Sequence, residues 1–305
     1  GVLRYAMLVG DRSLIPWVKK GYDFARQVSG EFGWFPEGIG TEDYYTTKHS
    51  ETCNITDMLH LAVKLGESGY EDCWIHAERF VRNHLLESQW SRQDWLKPAP
   101  AELPPDDAVN SRIDMHRRIM GGFAGRTLPN EFVADGVMMG CCCGAGPRAL
   151  FIAWDHVLDR REEGLYVNLR LNRFSKHADV LSWLPHEGRV LVRMHSPGPL
   201  FIRVPEPEVR VEVNGALVSY RRHGTYVRID AGPEDVVEAR FPLLVEDREI
   251  PLYGWRFDTR WRGDTMVRIT PEGPRFPLYQ RSESDTDACP MVEATPERRD
   301  PSVRW

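Results

Sequence analysis

Two segments decide the predicted fold and site, namely HSETCNITDMLHLA at residues 49–62 and GCCCGAGPRALFIAW at residues 140–154. Each carries thiols next to apolar residues at helical spacing. If Ser50 caps the first helix, Glu51 and Cys53 lie in its first turn, where free N–H groups and the helix dipole favour anions. Pro147 suits the first turn of the second helix, so Cys141–Cys143 would occupy the loop before it. The two helix entries are therefore expected to converge.

The residues around these segments predict helices over roughly the first 160 positions. One helix begins after Ser13 and is expected to bury a face formed by Leu14, Trp17, Val18, Gly21, Ala25 and Val28. Further helices are predicted over residues 55–66 and 71–86, and a last one buries Leu150, Phe151, Trp154, Val157 and Leu158. The stretch 97–107, with four prolines, is predicted to be a loop.

Beyond Gly164 the apolar period changes to two, which indicates strands. GLYVNLRL, RVLVRMH, PLFIRV, VRVEV, TYVRI, VVEARF, WRFDTRW and TMVRI alternate in this way. Asn214-Gly215 after VRVEV is a strong hairpin signal. We therefore predict a multi-domain chain, α then β: helices over 1–162, an all-antiparallel β-sandwich over 163–282 and a polar tail over 283–305.

Composition excludes several classes of protein. The net charge of −6 and scattered basic residues argue against nucleic acid as a partner. No apolar run approaches the ~20 residues that cross a bilayer, so no membrane partner is expected. Six cysteines, three of them consecutive, favour reduced thiols and hence a cytoplasmic location over a disulfide framework. The oligomeric state is not indicated.

A carboxylate and several thiols are a typical zinc donor set. Glu51, Cys53 and two of the three consecutive cysteines would supply four ligands. The alternative from the residues alone is that these are buried free thiols, which are among the most buried side chains.

The two cysteine segments resemble the motifs of the β-L-arabinofuranosidase family of glycoside hydrolases, family 127 and its relatives. The resemblance implies an (α/α)6 helical barrel, of which this chain would supply only a later part, and a bound zinc. It implies Cys141 as nucleophile and zinc ligand, with Glu51, Cys53 and Cys142 as the other ligands. Cys143 departs from the family, which places Pro or Thr there, and the spacing to Arg148 favours the Cys141/Cys142 register.

The family also carries a general acid about sixteen residues before the zinc-binding Glu. Glu37 lies fourteen residues before Glu51 and is the preferred candidate, with Glu42 as the alternative. The neighbouring His49, Trp34 and Tyr45 are weaker candidates for contact with the sugar.

The predicted function is a retaining glycosidase with a zinc-bound cysteine nucleophile, acting on an arabinofuranoside-like carbohydrate. One alternative is a non-enzymatic, carbohydrate-associated scaffold with a structural Zn(Cys)3Glu site, or an inactive fragment. Another is a thiol-redox protein that uses Cys141–Cys143. The chain supplies about five predicted helices and a barrel needs twelve, so we expect it to be the later part of a longer protein.

Overall fold

The computed structural model of the protein describes residues 1–39, 48–91, 115–132 and 138–281. The predicted loop over 97–107 and the polar tail over 283–305 lie outside these residues. Helices precede strands, as predicted. The described α-helices are α1 Val2–Val9, α2 Leu14–Gln27, α3 Thr52–Glu67, α4 Asp72–Phe80, α5 Met115–Arg118 and α6 Gly140–Asp155, and a π-helical segment, Val81–Leu85, continues α4.

The predicted buried face of α2 is right only in part, since Leu14 and Val18 pack against the core but are only partly buried. Ser13 occupies the N-cap position as expected, but its hydroxyl bonds to Asp11 at 2.6 Å and caps nothing. Ile15 and Tyr22 are the buried residues of α2, whereas Trp17 is 65% exposed. The apolar side chains of α2 run around much of the helix, so periodicity alone could not select the face that packs.

Within the described residues, fourteen strands follow α6, and every predicted strand segment contributes to one of them. Their bounds are β1 Leu158–Arg161, β2 Gly164–Val167, β3 Arg173–Phe174, β4 Ala178–Ser182, β5 Arg189–Met194, β6 Gly198–Arg203, β7 Arg210–Val213, β8 Ala216–Leu217, β9 Arg221–His223, β10 Tyr226–Ala231, β11 Val236–Arg240, β12 Val245–Leu252, β13 Trp255–Arg262 and β14 Thr265–Thr270. Val157 and Leu158 are buried as predicted, but they follow the last helix. Chain order thus changes from helix to strand between residues 155 and 158.

Two sheets share one core with the helices. The first sheet has the order β1-β2-β6-β10-β9, and the second has the order β3-β4-β5-β11-β7-β8. Burial alternates along β5 and β11, which gives each of these two strands one buried side. The hairpin predicted at Asn214-Gly215 joins β7 to β8, and both residues have the positive φ that this turn needs, 51° and 79°.

The prediction of an all-antiparallel arrangement is wrong at one pair. β2 runs parallel to β6, with Tyr166 opposite Phe201. Their rings stack at 4.2 Å between centroids. A parallel pair needs a long crossover, and β3, β4 and β5 of the second sheet supply it. Alternation along a strand does not report the direction of its partner, so the sequence carried no signal for this pair.

A third sheet, β12-β13-β14, packs on a separate core. Its buried residues Phe257, Trp261 and Ile269 share that core with Phe32 and Trp34 from the first part of the chain. The last strands therefore cover loops of the helical part. The domain boundaries at 162 and 282 remain predictions, and β1, at Leu158–Arg161, lies before the first of them. None of the described helices has the length and hydropathy to span a bilayer.

One buried carboxylate joins the helices to the sheets. Glu78 of α4 is fully buried and accepts bonds from Arg82 at 2.9 Å, from Arg170 at 3.3 Å and from Arg203. Burial alone would raise the pKa of Glu78, but Arg170, Arg203 and Arg82 outweigh it and hold the pKa well below its usual range. Arg170 also bonds Asp264 at 2.7 Å, which connects the third sheet to the same cluster.

The first prediction concerns this carboxylate. Glu78→Gln should lower the free energy of unfolding by about 3–5 kcal/mol, because it leaves buried guanidinium groups without their counter-charge. Urea unfolding followed by circular dichroism measures the change. The matched control is Glu249→Gln, whose bond to Arg256 at 3.0 Å is exposed, and which should cost less than about 1 kcal/mol. Equal losses in the two variants would contradict the assigned role.

Candidate metal centre

The first half of the centre is the start of α3. Glu51, with extended backbone, is the N-cap residue, and the helix begins at Thr52. The prediction that Ser50 caps the helix is therefore wrong. Ser50 is buried and pairs instead with Thr127, through backbone bonds of 2.8 and 2.9 Å. Cys53 lies in the first turn, close to the free N–H groups of the helix.

Two threonine hydroxyls fix this end of α3 in place. Thr52 donates to the carbonyl of Ala124 at 2.8 Å, and Thr56 donates to the carbonyl of Ala145 at 3.1 Å. The first bond ties the helix to the loop at 123–127, and the second ties it to α6. Both threonines are buried, so these bonds are shielded from water.

The second half of the centre is the start of α6, and here the predicted helix boundary is wrong. The helix begins at Gly140, so Cys141 and Cys142 lie in its first turn and Pro147 lies in its interior. Pro147 has no N–H to give to the carbonyl of Cys143 one turn earlier. Gly146 lets the helix approach Phe123, because a Cβ there would lie 2.1 Å from the ring.

The two helix starts bring four donor atoms together. One ligand atom from each of Glu51, Cys53, Cys141 and Cys142 lies within 4.8 Å of all the others. The sulfurs of Cys53 and Cys142 are 3.6 Å apart, and those of Cys141 and Cys142 are 3.8 Å apart. The thiol of Cys143 points elsewhere, towards the carbonyl of Phe123 at 3.9 Å. The sequence left open which two of the three consecutive cysteines join the cluster, and the geometry selects Cys141 and Cys142.

The cluster has a graded exposure. Cys142 is buried, Cys53 and Glu51 are partly buried, and Cys141 is exposed. Burial, assisted by the neighbouring thiols, raises the pKa of Cys53, and burial raises that of Cys142. Burial and the nearby Glu37 raise the pKa of Glu51. Burial thus disfavours the charged forms of Glu51, Cys53 and Cys142, which a divalent cation among them would reverse.

This donor set fits zinc. In a tetrahedron with Zn–S bonds of about 2.3 Å, two sulfurs lie roughly 3.8 Å apart. The measured separations of 3.6 and 3.8 Å match that spacing. Thiolates and a carboxylate are also the ligand types that zinc accepts together. Calcium and magnesium prefer oxygen ligands alone, so this set disfavours them.

Glu37, the preferred acid candidate, lies beside the cluster. Its backbone N–H donates to the carbonyl of His49 at 2.9 Å, and its carboxylate lies 2.5 Å from His49 Nε2. The side chain of Glu37 also contacts that of Glu51. The structure thus brings Glu37 and His49 to the metal-ligand group. Glu42 lies outside the described residues.

The weaker substrate-contact candidates fare differently. Trp34 is fully buried, donates from Nε1 to the carbonyl of Thr127 at 3.2 Å and packs against Tyr253. It belongs to the core around the third sheet, so its predicted sugar contact is wrong. Tyr45 lies outside the described residues. His49 keeps a partly exposed side chain.

Sequence reasoning missed the loop at 123–127 and its Arg126. The guanidinium of Arg126 lowers the pKa of Glu51, against the larger effect of burial. The loop carbonyls of Phe123 and Gly125 receive the thiols of Cys143 and Cys142, each at 3.9 Å. Nothing in the spacing of this segment links it to the cysteines, because only the tertiary fold brings them together.

Comparisons with known proteins agree on the fold. Neither a known family profile nor a curated protein matches the sequence. Solved structures do match, and three of them have 16–18% identity. A glycoside hydrolase has TM-score 0.52, over 78% of this chain and 44% of its own. A GH127 β-L-arabinofuranosidase from Geobacillus stearothermophilus T6 has TM-score 0.55, and the GH127 β-arabinofuranosidase BT3674 has 0.60, each over 87% of this chain and 45% of its own. The chain therefore spans less than half the length of these proteins, and over that span it shares their fold, as the cysteine motifs predicted.

Proposed function

We propose that this chain carries the zinc and nucleophile centre of a retaining glycoside hydrolase. The observation that carries the proposal is the exposed thiol of Cys141 within a group of four converging zinc donors. A purely structural zinc site has no need of an accessible ligand, whereas a catalytic site keeps one position open to the substrate.

The four donors would have different roles. Glu51, Cys53 and Cys142 are less exposed than Cys141 and would hold the ion. When bound, zinc would keep its sulfur ligands deprotonated at neutral pH. Cys141 is exposed at the start of α6. It is therefore the sulfur that a sugar can reach.

The reaction would proceed in two displacements. The Cys141 sulfur attacks the anomeric carbon, the glycosidic C–O bond breaks, and the departing oxygen takes a proton from Glu37. A water molecule then attacks the same carbon and gives a proton to Glu37, while the C–S bond breaks and frees the thiolate. Two inversions at one carbon leave the anomeric configuration unchanged.

Glu37 suits the acid and base role by its surroundings. It lies in a loop that is tied to His49 through backbone and side-chain contacts, so its carboxyl group is held beside Glu51. Its side chain is 33% exposed, which leaves it open to a substrate and to water. A carboxyl group next to the ligand group also argues against the purely structural zinc scaffold.

The substrate class follows from the similar structures. Two of them are named as arabinofuranosidases of family GH127. We propose an arabinofuranoside-like sugar as the substrate, and the family's (α/α)6 barrel as the architecture to which helices α1–α6 belong.

The second prediction is one zinc per chain. Elemental analysis of purified protein should find about one equivalent, and Cys53→Ser or Cys142→Ser should reduce it strongly, because each removes a converging sulfur. Cys143→Ser is the matched control, since Cys143 lies one residue from Cys142 and outside the group. Zinc-free protein with reactive thiols at Cys53, Cys141 and Cys142 would refute the site.

The third prediction identifies the nucleophile. A mechanism-based arabinofuranoside reagent should leave its adduct on Cys141, as peptide mass spectrometry would locate. Cys141→Ser should abolish turnover of an aryl arabinofuranoside, because a serine hydroxyl without an adjacent base is a poor nucleophile. Cys143→Ser should keep turnover nearly unchanged. An adduct on Cys142 or Cys143 would shift the register and overturn this ligand assignment.

The fourth prediction separates the two acid candidates. Glu37→Gln should reduce turnover by roughly 10²–10⁴-fold, because it removes the proton donor, while the zinc content stays at one equivalent. Glu42→Gln serves as the comparison and should be near wild type. The reverse pattern would transfer the role to Glu42.

A further inference from the structure

A cavity lies at the other end of the helix pair that holds the metal centre. It measures about 800 Å³ and opens where the C-terminal parts of α3 and α6 meet β1 and β3. Glu67 follows Cys53 by fourteen positions, and Asp155 follows Cys141 by fourteen, which is roughly 21 Å along a helix. The cavity is thus a separate site, with none of the four zinc donors in its wall.

The wall of this cavity carries an excess of positive charge. Its Lys and Arg side chains number seven, Arg4, Lys64, Arg148, Arg160, Arg161, Arg173 and Lys176, whereas its carboxylates number three, Glu67, Asp155 and Asp159. The whole chain has a net charge of −6. The cavity wall therefore has an excess of four positive charges in a chain whose net charge is negative. Its concave shape concentrates the electric field of these charges.

The wall's own carboxylates are already paired. Their cationic partners lie within 4 Å: Lys64 at 2.8 Å and His156 at 3.1 Å from Glu67, Arg173 at 3.5 Å from Asp155, and Arg161 at 3.7 Å from Asp159. Arg173 is further occupied by the carbonyl of Leu158 at 2.9 Å. All three carboxylates of the wall, and some of its cations, are therefore engaged in ion pairs.

Two guanidinium groups remain for a ligand. Arg4 of α1 and Arg160 of β1 are exposed and line the cavity. Across the described ranges of the chain, neither has a hydrogen bond or an ion pair with a carboxylate. They come from two distant parts of the sequence, so the fold gathers them at this point. The positive field also reaches His60, whose pKa is lowered by burial and by Lys64, His156 and Arg148.

We propose that this cavity binds an anionic sugar, with Arg4 and Arg160 gripping its carboxylate, sulfate or phosphate group. Arginine forks suit such groups, because paired N–H donors match two oxygens. The remaining wall supplies the Phe151 ring for an apolar sugar face. The volume suits a ligand of one to a few sugar units. The sugar part of this proposal rests on the proposed glycosidase function, and the anion part stands without it.

Calorimetric titration of the 305-residue chain tests the proposal with three probes: glucuronate, glucose as its uncharged counterpart, and sodium sulfate. Glucuronate should bind at least tenfold more tightly than glucose, and added salt should weaken it. Arg4→Glu combined with Arg160→Glu should weaken glucuronate roughly tenfold or more. Arg221→Glu, a reversal at an exposed arginine of β9, is the matched control and should change the affinity less than twofold.

The results separate this site from the metal centre. Three results would overturn the proposal. Glucuronate could still bind to the double variant, glucose could bind as tightly as glucuronate, or sulfate could bind where glucuronate does not. Zinc content and thermal unfolding of each variant are measured alongside and should match the parent protein, since Arg4 and Arg160 lie outside the zinc donors. Loss of zinc and turnover in Cys53→Ser, with glucuronate binding retained, would show that the two sites stand independently.

Discussion

Glu78 lies buried among arginines that come from both the helical segment and the first sheet. A charged carboxylate in the interior is tolerated only when cations and hydrogen bonds replace its water. Here the cations come from three places, Arg82 in the π-helical segment, Arg170 after β2, and Arg203 in β6. If any of these elements moved away from α4, a buried charge would be left without its partner.

The helix that carries Glu78 is also connected to the metal centre, through the π-helical segment that continues it. Just beyond Arg82, the π-helical segment directs His84 between the hydroxyls of Tyr279 at 3.0 Å and Thr127 at 2.8 Å. Thr127 is the residue that pairs with Ser50, immediately before the ligand Glu51. A short chain of buried bonds therefore connects the ionic core to the residue that opens α3. The extra residue of a π-turn redirects side chains in this way, which is a common use of such segments.

The parts that could be predicted from the sequence are those fixed by local chemistry. Period-two alternation located the strands, and Asn214-Gly215 located a hairpin, because both signals arise within a few residues. The predictions that failed concern contacts between residues distant in sequence. The parallel pairing of β2 with β6 and the burial of Trp34 under the third sheet left no trace in spacing. Pro147 misplaced the start of α6, because a proline tolerated in a helix interior looks the same as one that opens a helix.

The residues of the candidate site were predictable, whereas residue types alone left the register open and only the family resemblance, with its spacing to Arg148, favoured Cys141 and Cys142. Thiols that converge from two helix starts are visible as motifs, whereas the choice of Cys142 over Cys143 depends on which side of α6 faces α3. Helix geometry makes that choice, because adjacent residues point about 100° apart and only some thiols in one turn can face one point. Cys142 is buried towards Cys53, Cys143 turns to Phe123, and Cys141 is left between the cluster and solvent. The orientation of α6 about its axis buries Cys142 as a ligand. The same orientation leaves Cys141 exposed, which makes it the candidate nucleophile.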